Sequence, residues 1–137
     1  MQREQIDNLI VRLIVIKEFS KDIHYTCHGE GFYGKHLLVD KFNFDDSIDL
    51  LKECWLLGND ERPLSSRKYL EMAYIYLATP ETKDDTANFN KLLGYINNAL
   101  FLIKSLTNLT KADENVIGGI AQDLQQYKGL INLQIEE

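Results

Sequence analysis

The stretch IDNLIVRLIVIKEFSKDI, residues Ile6 to Ile23, decides the fold class. Its residues Ile6, Leu9, Ile10, Leu13, Ile16, Phe19, Ser20 and Ile23 recur at steps of three and four. That spacing gathers them on one face of an α-helix, where a strand would need strict alternation. The helix is expected over about Arg3 to Cys27, with Gly29 and Gly31 as its stop. Its apolar run from Leu9 to Ile16 is broken by Arg12 and is far too short to span a bilayer.

Outward from this stretch the same period returns three times. A second helix is expected over about Gly34 to Leu57, stopping at Gly58 and Asn59 with Pro63 beyond. A shorter one follows over Ser66 to Leu77, where Ser65 or Ser66 can cap the start. After the polar connection Thr79 to Asp85, a third long helix covers about Thr86 to Leu109, with a stripe of Leu92, Leu93, Ile96, Leu100, Ile103 and Leu106. The last covers about Ala112 to Ile135 and uses Val116, Ile117, Ile120, Leu124, Leu130 and Ile131. No run alternates at period two and no internal repeat is visible. Long helices of about 22 to 25 residues, roughly twice the globular average, predict an all-α bundle in which each helix keeps one stripe against its neighbours.

Composition narrows the class. The 137 residues suit one domain, 1–137, large enough to bury a core, and 45% hydrophobic with 26% charged residues is ordinary for a soluble protein. A net charge of −6 repels phosphate backbones and attracts cations, so nucleic acid is not the expected partner. Cys27 and Cys54 are too few for a disulfide framework, and the polar start Met1-Gln2-Arg3-Glu4-Gln5 does not read as a secretory signal. A cytoplasmic protein with no membrane segment is the expectation.

Chemistry concentrates in one place. All three histidines fall within thirteen residues: His24 near the end of the first helix, His28 after it, and His36 near the start of the second, with Asp40 one turn after His36 on the same face. Two imidazoles and a carboxylate without thiolate suit iron, manganese or zinc. The Glu-x-x-His pair of di-iron bundles is missing: Lys21, Tyr25 and Tyr33 stand three residues before the histidines. A ferritin-type centre inside the bundle is therefore not encoded.

The stretch His24-Tyr25-Thr26-Cys27-His28-Gly29-Glu30-Gly31-Phe32-Tyr33-Gly34-Lys35-His36 resembles the signature of the Dps (miniferritin) family, in which a His-Trp pair and a Gly precede an aromatic pair and a second His. The interval between His24 and His36 matches without gaps, as does Asp40 four residues later. Gly58-Asn59-Asp60-Glu61-Arg62-Pro63-Leu64 is similar to the family's Gly-Gly-x-Pro turn, Ser65 to Tyr74 to its short connecting helix, and Asp113 to Ile131 to its last helix. The resemblance implies a ferritin-like four-helix bundle with a short extra helix between helices 2 and 3. It implies a shell of twelve subunits built from two-fold dimers, which oxidises Fe(II), preferably with hydrogen peroxide, and stores ferric iron. The iron site it implies takes His24, His36 and Asp40 from one subunit and Asp49 and Glu53 from the partner. It further suggests a three-fold pore lined by Asp113, Glu114 and Asp123; acids favoured at a helix N-terminus are the ordinary alternative. Tyr25 replaces the family's Trp, as a radical quencher or a packing residue.

One interval departs from the pattern. Nine residues separate Asp40 from Asp49, where the family has eleven, and on an unbroken helix nine steps rotate the chain by about 180° but eleven by about 20°. The usual spacing would select Leu51 and Trp55, which cannot bind iron. A helix restarting at Asn43-Phe44-Asp45-Asp46, with Asn43 as cap and Asp46 at the third position, reconciles the two. Without that break, Asp45 or Asp46 become the candidates. Gly118-Gly119 within the last helix predicts a close approach of another backbone. Trp55 and Phe44 are expected in the core or a dimer interface, and Cys27 and Cys54 as small buried residues. Family members that bind DNA often use a basic tail; here only Arg3 precedes the first helix and the chain ends Glu136-Glu137, so DNA binding is not expected.

Overall fold

A computed structural model describes residues 2–23, 42–54, 62–80 and 85–136. Among them the protein is all-helical: α1 (Gln2–Ile23), α2 (Phe44–Cys54), α3 (Ser66–Tyr76), α4 (Asp85–Ser105) and α5 (Lys111–Glu136). No described residue is in a strand. The contacts close a ring, because α1 packs on α2 and α4, and α5 packs on the same two helices. Helix α3 packs on α1.

The core follows from the helical stripes. Leu9, Leu13, Ile16 and Phe19 of α1 meet Ile48 and Leu51 of α2, Leu92 and Ile96 of α4, and Ile117, Ile120 and Leu124 of α5 in one buried cluster. Burying a Leu, Ile or Phe side chain contributes about 1.5–3 kcal/mol, so this cluster is the main stabilising term. Helix α1 goes beyond its expected stripe. Val11 and Val15, on the side opposite Ile6 and Leu9, are also buried, since α1 carries α3 as well as two ring neighbours. Across the ring, the Ser20 hydroxyl and the Tyr127 phenol lie 2.6 Å apart, and Phe42 and Phe44 pack edge-on to Tyr127 with centroids at 4.8 and 5.8 Å.

The helix ends explain where expectation and structure differ. The second helix does not run unbroken from Gly34: Phe42 and Asn43 lie outside it, and it starts at Phe44. Asn43 Oδ1 accepts the Asp46 backbone N–H at 3.0 Å, and Asn43 Nδ2 donates to Asp46 Oδ2 at 2.7 Å, a reciprocal cap. Ser65, not Ser66, caps α3 by accepting the Lys68 N–H at 3.1 Å. Helix α4 ends at Ser105 rather than Leu109. The Ser105 hydroxyl bonds back to the Phe101 carbonyl at 3.0 Å, and Asn108 adopts φ 58°, the left-handed region that Asn tolerates better than most residues. Gly118 and Gly119 are exposed, and a Cβ at either would meet nothing within 4 Å, so among the described residues no other element's backbone approaches them closely.

Candidate metal centre

Helix α2 has two faces set by its register. Phe44, Ile48, Leu51 and Cys54 point into the core, and Leu51 is fully buried. Asp45, Asp46, Asp49, Leu50 and Glu53 are exposed. Leu51, the residue that an eleven-residue interval from Asp40 would select, is thus a core residue. Asp49 and Glu53, one turn apart, share the outward side, where neighbouring Cβ atoms on a helix stand about 5–6 Å apart. The Asn43 cap holds the first turn of this helix.

The four acidic residues of α2 have different neighbours. Asp45 accepts a hydrogen bond from Lys17 Nζ of α1 at 2.7 Å, and Asp46 is engaged by Asn43. Asp49 has Lys52 Nζ at 4.0 Å. Lys52 is itself anchored, donating to Ser66 Oγ at 3.2 Å and standing 5.5 Å from the Tyr69 ring centroid, so it ties α2 to the first turns of α3. Exposed pairs of this kind are each worth about 1 kcal/mol or less, and they leave the outward side strongly acidic.

Cys54 ends α2 on its inner side. Burial, reinforced by the charge of Asp113 and a hydrogen bond to it, pushes this thiol up to about 12. Cys54 is buried on the core-facing side of α2 as a neutral thiol and packs there as a small apolar residue. The contact with Cys54 places Asp113 on the inner side of the bundle. Asp113 is buried at the start of α5, where its backbone N–H bonds the Thr110 hydroxyl at 3.1 Å and its carboxylate faces Cys54, whereas Glu114 and Asp123 are exposed.

His24, His36 and Asp40, together with His28, Tyr25 and Cys27, lie outside the described residues, as does Trp55. Of the five candidate ligands, the described residues therefore contain Asp49 and Glu53. No group of three or more His, Cys, Asp or Glu side chains able to hold a metal occurs among the described residues. None of the described helices is long and apolar enough to cross a membrane.

A polar hub at α1 and α3 was not anticipated. Arg3 Nε donates to Asp7 Oδ1 at 2.9 Å, Nη2 stands 2.7 Å from the same oxygen as an ion pair, and Nη2 donates to the Tyr69 hydroxyl at 2.6 Å. Tyr69 donates to Asp7 Oδ1 at 2.6 Å and accepts the Leu64 N–H at 3.2 Å. Burial, with the hydrogen bond to Asp7, raises the Tyr69 pKa. The hub docks α3 and the residues before it onto α1, and a buried charge pair missing one partner is strongly destabilising. The available signal was the Arg3–Asp7 spacing of four on a helix. Its remote partner Tyr69 carries no sequence mark. Beside the hub an open groove of about 460 Å³ runs between α1 and α3, with Val11, Met72 and Tyr76 along it. Arg12 lies over the Tyr76 ring, 4.0 Å from its centroid.

No protein-family model matches this chain, and no curated protein and no solved structure matches it.

Proposed function

We propose that this chain is a subunit of a Dps-like miniferritin, a ferritin-like four-helix bundle that oxidises Fe(II) with hydrogen peroxide and stores the ferric product. The observation that carries this reading is the placement of Asp49 and Glu53. They stand on the side of α2 turned away from the chain's own core, in a helix whose first turn is capped by Asn43. Two carboxylates one turn apart repel each other and gain from a cation between them. In the proposed site His24, His36 and Asp40 of one subunit face Asp49 and Glu53 of another, and Fe(II) is the substrate they hold. Both halves must meet for iron to bind, so assembly and metal binding stabilise each other. The ring of four helices, with α3 in the connection between α2 and α4, agrees with the bundle the reading requires. A homo-oligomer of two-fold dimers, closed as a dodecamer, follows from it.

The test adds Fe(II) and then hydrogen peroxide and follows the near-ultraviolet absorbance of ferric iron. Wild type should develop it, while the double variants His24→Ala/His36→Ala and Asp49→Ala/Glu53→Ala should lose at least about tenfold in rate, since even residues behind the ligands matter by that much. Equal rates in all three proteins would reject the reading.

A second reading is favoured by the nine-residue interval itself: a Dps-like assembly protein that keeps the shell and has lost half of the iron site. It predicts a large closed oligomer by light scattering with no peroxide-dependent iron oxidation.

A further inference from the structure

We draw no further inference here: the strongest candidate, the groove between α1 and α3 beside the buried Arg3, carries nothing, because Glu4 and Asp7 on the same wall select neither an anion nor a cation and nothing in the structure shows what covers it.

Discussion

Helices α1 and α2 touch each other and are built on opposite plans. In α1, apolar burial extends around most of the circumference, with Leu9, Val15, Ile16 and Phe19 fully buried. In α2, one narrow face of Phe44, Ile48, Leu51 and Cys54 holds the helix, and the other face is left to acids and Leu50. The physical difference lies in the number of neighbours. α1 packs on α2, α3 and α4, whereas α2 packs on α1 and α5. A helix enclosed on three sides keeps little open surface, and a helix held on one side presents the other to whatever comes. Residue replacements in α1 should therefore act on stability, and those on the outer face of α2 should act on binding.

The largest expected effect tests the enclosed helix. Phe19 is fully buried and meets the Tyr95 ring edge-on at 5.3 Å between centroids. Phe19→Ala should cost about 3–5 kcal/mol of unfolding free energy, measured by denaturant titration. The paired change Asp49→Asn/Glu53→Gln should move the same midpoint by no more than about 0.5 kcal/mol. Comparable losses in the two variants would abolish the contrast.

The alkaline limb of stability sharpens the comparison at the inner face of α2. Burial raises Cys54 from 9.0 to about 12 and, on α5, Tyr127 from 10.0 to about 12. Both groups are neutral when protonated, so the folded state holds protons that the unfolded state has already released. Their stabilisation is complete below about pH 9 and is lost as the pH rises towards 12. Cys54→Ala should flatten the fall in thermal midpoint between pH 9 and 11, and an unchanged slope would assign the effect to the buried tyrosines Tyr127 and Tyr69.

The capped start of α2 predicts a smaller loss. Asn43→Ala removes a side-chain acceptor for the Asp46 N–H and should cost about 1 kcal/mol. On the proposed reading it should also slow iron oxidation, because the first turn sets the direction of Asp49 and Glu53. Loss of stability with full activity would separate the cap from the site.

The least effect belongs to the exposed side of α5. Gly118→Ala has room for its Cβ and should raise stability by up to about 1 kcal/mol, since glycine is a poor residue within a helix. A loss instead would mean that another copy of the chain packs closely on that face.

Much of the helical frame was legible in the residues. The three- and four-residue steps at Ile6 to Ile23 and Ile117 to Leu124 sit on α1 and α5, and Asn43 and Ser65 stand at helix starts with the bonding their side chains predict. Local signals of this kind involve residues within one or two turns, so they survive in a linear reading. The partners of Tyr69, Lys52 and Asp113 did not show, because a hydroxyl, an ammonium or a carboxylate meets its neighbour across tens of residues and leaves no periodic trace.

By itself the sequence determined that the described residues are helical, that Asn43 caps the start of α2, and that imidazoles and carboxylates suited to a hard or borderline metal are available. Only the tertiary structure decided that α1 is enclosed by three helices, that Asp113 turns inward to Cys54, and that Asp49 and Glu53 face out while Leu51 faces in. Periodicity tells a helix which residues share a face, but the neighbours that pack against it choose which face is buried.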